Sequence, residues 1–387
     1  MGARIEGECD SGFSRVRDAF AENFDNRGEV GAAVAIVVDG RRVVDLWGGH
    51  RDEKRTRPWT RDTLVNFYST TKGLMAVCAH QLVASGKLDL DAPVARYWPE
   101  FAQAGKKDLP VRYLLSHRAG LPAISKPLPA EALFDWDVMC SALAEQQPWW
   151  KPGEKHGYHA MTFGFLVGEL IRRITGESPR DYLRTKLIAP LCADFQIGLS
   201  ERDEDRVAEI IAAQPPPPGA PNPMAALMSA NPDSVTAKTL ANPPSVSAPG
   251  VSNSKAWRRA QLPAANGHGT ARALAQVYGA LSRGGEIGGV RVIAPEAIRR
   301  CSEEQSSGPD AVLLIPTRFS LGFMMSLPSA SMGPGARSFG HPGAGGSLGF
   351  ADPDAKIGFG YIMNQMNAGI LIDQRATALI NALYQSL

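Results

Sequence analysis

Three things are scarce in this sequence: charge of one sign, clustered cysteine and long apolar runs. Lys and Arg number 41 and Asp and Glu 39, so the net charge is only +2. That balance gives no electrostatic reason to expect nucleic acid or an anionic membrane as partner. The five cysteines, Cys9, Cys78, Cys140, Cys192 and Cys301, are widely spread and never form a C-x-x-C pair. Reduced thiols fit this pattern better than a disulfide framework or a zinc site. No run approaches the roughly 20 apolar residues that a bilayer-spanning helix needs. The opening segment MGARIEGECDSGF has neither an apolar core nor a cleavage signature. A cytoplasmic protein is the expectation.

Apolar residues are plentiful: 44% of the 387 residues are hydrophobic, enough for a sizeable core in one large domain or two lobes. Phe13, Val16, Phe20 and Phe24 recur at helical spacing and predict an amphipathic helix over 12–26. GAAVAIVVDGRRVVDLWGG places two β-branched runs around Asp39-Gly40, a strong hairpin signal. TTKGLMAVCAHQLVASG reads as a helix that Ser69 can cap, ending near Gly86. VRYLLSHRAGLP, HAMTFGFLVGELIRRITG and SPRDYLRTKLIAPL predict three more helices. QPPPPGAPNPM, residues 214–224, is too rich in proline for helix, and loop character persists with interruptions to about Asn266. A loop of that length is usually functional. GTARALAQVYGALSRGG returns to helix. RFSLGFMM, LGFADPD and IGFGYIMNQM then read as antiparallel strands before a closing helix, DQRATALINALYQ.

Strands at both ends with helices between predict an α+β protein. Its antiparallel sheet is built from both termini and flanked by helices, with a mostly helical lobe inserted. The expected division is 1–66 with 271–387 for the sheet lobe and 67–270 for the helical lobe, with a site at their interface.

FYSTTKG, residues 67–73, holds Ser69 with Lys72 three positions on. On a helix, residues three apart lie on one face with Cβ atoms about 5–6 Å apart, so the amine can reach the hydroxyl. The helix N-terminus nearby favours developing negative charge. A capping serine beside a solvated lysine would give the same four letters. A second match, Ser252 to Lys255, lies in SAPGVSNSKAW, which has turn composition and no periodicity to put the two on one face. For Lys72 to act as a base it must first lose its proton. At an unperturbed pKa of about 10.4, about one lysine in 2,500 is neutral at pH 7. Burial or a second polar group must lower that cost. Tyr158, in KPGEKHGYHAMTFG, is the candidate: phenol and amine could share one proton as a composite base.

In order along the chain, STTK, VRYLLSHRAGL, PGEKHGYHAMTFGFLVGELI, NGHGTARALAQVY and FGHPGAGGSLGFADP resemble the serine β-lactamase and penicillin-binding-protein superfamily. Within it the sequence is most similar to the family VIII carboxylesterases, over residues 12–385. The resemblance implies a β-lactamase-like fold and a serine hydrolase that cleaves small-molecule carboxylic esters of short acyl chain through an acyl-enzyme. It implies no cofactor or metal. It makes Ser69 the nucleophile, with Lys72 and Tyr158 its base, and the backbone N–H groups of Ser69 and Ala344 the oxyanion hole. The second motif reads Tyr158-His159-Ala160, without the family's amide side chain. The third reads His341-Pro342-Gly343 where β-lactamases have K-T-G. A neutral histidine in place of that lysine removes a permanent cation, which argues for neutral esters over acidic substrates. A β-lactamase, a D-alanyl-D-alanine peptidase, a transesterase using the same residues and a non-catalytic binding member are the alternatives. Substrate contacts are expected from His341, Gly343, Trp149 and Trp150, with the proline-rich loops 122–129 and 214–223 as further pocket wall.

GGSLG, residues 345–349, also fits the G-x-S-x-G nucleophile elbow. The elbow needs strand, sharp turn and helix, and the α/β-hydrolase order puts the histidine after the serine. Here a hairpin pattern follows Ser347, and the last histidine, His341, precedes it. Ser347 is therefore read as part of a strand edge. His156 and His159 are three apart without H-E-x-x-H or an acidic cluster, and are read as polar loop residues. His117 is read as holding a loop.

Overall fold

Two positive backbone angles at Asp39 (φ 46°) and Gly40 (φ 82°) close the first hairpin, as a two-residue type I′ turn requires. The hairpin pairs Gly31–Val38 with Arg41–Gly49 and carries a bulge between Ile36 and Val37. In the computed structural model, residues 3–214, 223–369 and 371–387 are described. Most of the 214–223 loop, expected as pocket wall, lies outside them.

The hairpin sits inside a nine-stranded sheet that is antiparallel throughout. From one edge to the other its strands are Ile5–Cys9, Arg41–Gly49, Gly31–Val38, Ile357–Met363, Leu348–Asp352, Phe339–Pro342, Met324–Met325, Pro316–Phe319 and Ser306–Pro309. The seam between the two ends of the chain is the pairing of Gly31–Val38 with Ile357–Met363, from Met363 opposite Ala32 to Ile357 opposite Val38.

Side chains alternate across the sheet with period two. Ala32, Val34 and Ile36 face the helices Ser14–Asn26 and Gln374–Tyr384, which pack on each other. Ala35 and Val37 belong to the opposite core, beneath the helix Ala271–Ser282. That helix lies almost on the backbone of the sheet. A Cβ on Gly358 would strike the backbone N of Gly279, and one on Gly360 the carbonyl of Ala271.

The helix Thr71–Ala84 is buried from Thr71 to His80 and again at Leu82. It has no polar face because neighbours cover it on every side. One neighbour is the helix Thr162–Thr175, closed by Gly176 in the left-handed conformation (φ 73°). Part of the 214–266 stretch, expected as loop, is helical among the described residues: Pro223–Ala230, Val235–Ala241 and Lys255–Arg259. Ser234 and Ser254 cap the last two with their side chains, so local capping supplies what apolar periodicity did not signal. A three-stranded sheet of Val65–Asn66, Gly267–Gly269 and Phe195–Ile197 ties this region to the base of the Ser69 turn. Among the described residues no helix is long and apolar enough to cross a membrane.

Candidate active site

The turn Tyr68–Thr70 is a 3-10 element that runs directly into the helix Thr71–Ala84. Tyr68 takes a left-handed backbone (φ 46°), rare and strained for a bulky residue, immediately before Ser69. Ser69 does not cap the helix. The N-cap is Thr70, and no side chain satisfies the cap. The Ser69 hydroxyl is instead 2.9 Å from Lys72 Nζ, one helical turn below.

Lys72 is wholly buried. Its amine donates to the Ala264 carbonyl at 3.0 Å, and its other polar neighbour is Ser69. Burial with no partnering carboxylate among the described residues pushes its pKa well below the usual lysine value.

Tyr158 comes from the loop before Thr162–Thr175. Its ring stacks parallel on Phe319, centroids 6.2 Å apart, and Lys72 Nζ stands 4.9 Å from the ring centre. Burial pushes the phenol well above its usual range, against a smaller opposing effect of the Ser69 hydroxyl. Lys72 is shifted down and Tyr158 up, the directions that favour a neutral amine and a neutral phenol. A low-dielectric site favours this neutral pair over ammonium and phenolate.

Asp310 fixes the Tyr158 backbone and was not foreseen. It is buried, and its Oδ1 accepts from the N–H groups of Tyr158 (3.0 Å), Val312 (2.8 Å) and Leu313 (2.8 Å). Its Oδ2 accepts from the Thr317 hydroxyl, which meets His156 Nε2 at 3.0 Å. Asp before two apolar residues is an Asx-turn signal; the bond to Tyr158, 152 positions away, has no signature in the sequence.

The remaining histidines hold backbone. His117 (φ 58°) accepts from the His159 N–H at 3.1 Å. His159 accepts from the Leu121 N–H through Nε2, and its Nδ1 donates to the Gly157 carbonyl. Among the described residues no group of three or more His, Cys, Asp or Glu could hold a metal.

His341 lies on the strand Phe339–Pro342, its ring centroid 6.0 Å from that of Tyr158. Its Nδ1 donates to the Pro342 carbonyl at 2.7 Å. Burial and the nearby Lys72 hold its pKa at about 3, so the ring is neutral. Beyond it the turn Gly343–Gly346 lies against the Ser69 turn, where a Cβ on Gly343 would collide with the Phe67 carbonyl. Ser347 is buried and donates to the Phe67 carbonyl at 2.8 Å, with the Thr70 hydroxyl 3.2 Å away. Its hydroxyl bolts the two turns together and does not face open space.

Ser69, Tyr158 and Ala344 open onto one cavity of about 380 Å³. Its wall comes from both expected lobes: Tyr68, Met161, Ile210, Leu240 and Trp257 from one, Leu313, Met324 and Met366 from the other. No acidic or basic residue is among its described lining. Trp149 and Trp150, expected here, are not on the wall. Their indole N–H groups are held by the carbonyls of Ala123 (2.9 Å) and Lys155 (3.0 Å), so both rings stabilise loops. His341 and Gly343 stand behind the wall, and the 122–129 loop contributes nothing to it. Ser252 does reach the cavity, from the turn Val251–Asn253, while Lys255 starts a separate short helix; this second pair shares no helical face.

Comparison with known proteins identifies the family of the whole chain. The chain is 37% identical over 382 residues to the protein named esterase/beta-lactamase LipL from Mycobacterium tuberculosis, covering 97% of this chain and 86% of that one. A solved family VIII carboxylesterase is 41% identical with a TM-score of 0.90, covering 99% of this chain and all of that one. A penicillin-binding protein homolog from Caulobacter crescentus is 39% identical, also with a TM-score of 0.90 and the same coverage. The Beta-lactamase family model matches residues 16–382, from the first helix to the last, and the chain belongs to that family.

Proposed function

We propose that this protein is a serine esterase that hydrolyses uncharged carboxylic esters, short acyl chains favoured, in the cleft between a lobe of 1–66 with 271–387 and a lobe of 67–270. One observation carries the reading: the Ser69–Lys72 pair, 2.9 Å apart and beside Tyr158, opens onto a cavity with no charged side chain among its described lining. Neutral Lys72 takes the Ser69 proton as Oγ attacks the ester carbonyl. The oxyanion is held by the N–H groups of Ser69 and Ala344, each such donor typically worth about 10²–10³ in rate. The Tyr158 phenol protonates the departing alkoxide and is reprotonated from Lys72. Water then attacks the acyl-enzyme, giving its proton to the same pair; the acyl–Oγ bond breaks, the carboxylic acid leaves, and the pair returns the proton to Ser69 Oγ. The carboxylesterase named among the structural relatives supports the ester class. A neutral His341 and an uncharged cavity weigh against a substrate carboxylate, and so against penicillins and peptide C-termini.

The test is intact mass after a fluorophosphonate, on wild type, Ser69→Ala and Ser347→Ala. One adduct is expected on wild type and Ser347→Ala and none on Ser69→Ala; labelling lost only with Ser347→Ala would refute the assignment. p-Nitrophenyl butyrate should be turned over far faster than nitrocefin. The reverse ranking would make the protein a β-lactamase.

A further inference from the structure

The turn Gly343–Gly346 carries the Ala344 N–H yet has almost no side chains to hold itself. It is closed by Gly346 N–H to Gly343 O at 3.1 Å, with Gly345 in a left-handed backbone (φ 85°), as a turn with glycine at its third position requires. On one flank the Gly343 N–H donates to Ser347 O at 2.7 Å, and Ser347 is bolted to Phe67. On the other flank the support comes from the last helix. Arg375 Nη2 donates to Gly345 O at 2.7 Å, and the Asn367 N–H reaches the same oxygen at 2.9 Å.

Arg375 is only 2% exposed, and its guanidinium is hydrogen-bonded through all three nitrogens. Nε bonds Asp373 Oδ2 at 2.8 Å; Nη1 bonds Glu29 Oε1 at 3.1 Å and Gln365 O at 2.9 Å; Nη2 bonds Gly345 O and stands in ion-pair contact with Asp373 Oδ2 at 2.6 Å. Glu29 is held in turn by the Tyr361 hydroxyl, and Asp373 by the helix N–H groups of Arg375 and Ala376. A buried cation with two carboxylates and a fixed plane is a poor way to gain stability and a good way to fix the direction of one N–H.

We infer that Arg375 is a positioning residue for the oxyanion hole: through Gly345 O it sets the orientation of the Ala344 N–H. The inference rests on the esterase reading above. Arg375 touches neither substrate nor Ser69, and it borders a second cavity of about 520 Å³ behind the turn. Lysine keeps the charge but offers three donors from a point and no planar fork.

The experiment measures kcat and KM for p-nitrophenyl butyrate, and inhibition by a trifluoromethyl ketone whose hemiketal oxyanion occupies the hole, for wild type and Arg375→Lys. Melting is followed alongside. Expected is a folded Arg375→Lys with kcat and ketone affinity both reduced about 10- to 100-fold, KM within about twofold, and the Ser69 phosphonate adduct still formed, more slowly. In Arg375→Ala, added guanidinium should restore part of kcat by entering the vacated space. Wild-type kcat and ketone affinity in a folded Arg375→Lys would overturn the inference while leaving Ser69 intact as nucleophile. An Arg375→Lys that does not fold would make the residue a core support and overturn it too. A wild-type adduct absent from Ser69 would instead sink the esterase reading itself.

Discussion

In the proposed mechanism, burial is what makes a base of Lys72. In water its amine is an ammonium at neutral pH; here desolvation lowers its pKa and no carboxylate among the described residues opposes the shift. Turnover should therefore rise with pH along one limb set by Lys72, well below the usual lysine value, and a kcat profile across pH reads it. The same burial has a stability cost of definite sign. Between its folded pKa and 10.5 this lysine binds fewer protons folded than unfolded, so stability rises with pH across that window, and the full penalty applies below it. Lys72→Met should abolish turnover and raise the melting temperature at pH 7. A lower melting temperature would show that the amine is charged and stabilised. Tyr158→Phe keeps the stack on Phe319 and loses only the hydroxyl. It should lower kcat by about 10²–10⁴, the usual range for a proton-transfer group, with little change in melting. Ser69, Lys72 and Tyr158 were named from the sequence because S-x-x-K and an ordered set of motifs leave a local imprint. Asp310 and Arg375 were not, since each acts on backbone far away in the chain.

At the scale of elements, legibility followed periodicity. The helices Ser14–Asn26 and Gln374–Tyr384 bury a stripe that can be read, and Thr162–Thr175 and Ala271–Ser282, though buried more widely, are long enough to show a helical period before a glycine or an exposed end. The hairpin over 31–49 was legible from Asp39-Gly40. The short helices after Pro223 and the edge strand Ser306–Pro309 were not, being too brief to establish a period. Trp149 and Trp150 were misjudged for a related reason: composition marks a large apolar side chain but not which side of a loop it packs on. Packing of Ala271–Ser282 on the sheet depends on bare backbone, and Gly358→Ala tests it. The added methyl meets the Gly279 backbone, which cannot rotate away. A loss of about 1–3 kcal/mol in denaturant unfolding is expected; an unchanged midpoint would mean the helix is free to shift.

Across the whole molecule, buried neutral histidine is a recurring device. His80 and His268 are held at about 4, and His159 and His341 at about 3, chiefly by burial. Each binds a proton more readily unfolded than folded between that value and 6.5. Stability is therefore intact above pH 6.5 and lost as pH falls, each group contributing on the order of 1 kcal/mol per pH unit. His117 and His156 are lowered too, and Glu29, raised by burial, works in the opposite sense, one group against six. Above about pH 6.5 melting temperature should rise with pH only along the Lys72 slope, and below about 6.5 it should fall more steeply; a profile that does not steepen down to pH 4 would show that these rings are solvated.

The sequence by itself determined the fold class, the family and the Ser69–Lys72 pair, because hydrophobic period, turn residues and motif spacing are properties of neighbours in the chain. Tertiary structure alone decided in which direction the Lys72 and Tyr158 pKa values move, which residues line the cavity and what holds the Gly343–Gly346 turn. Desolvation and direction are set by atoms brought together from distant segments, and no local pattern encodes how deeply an amine or a phenol will be covered.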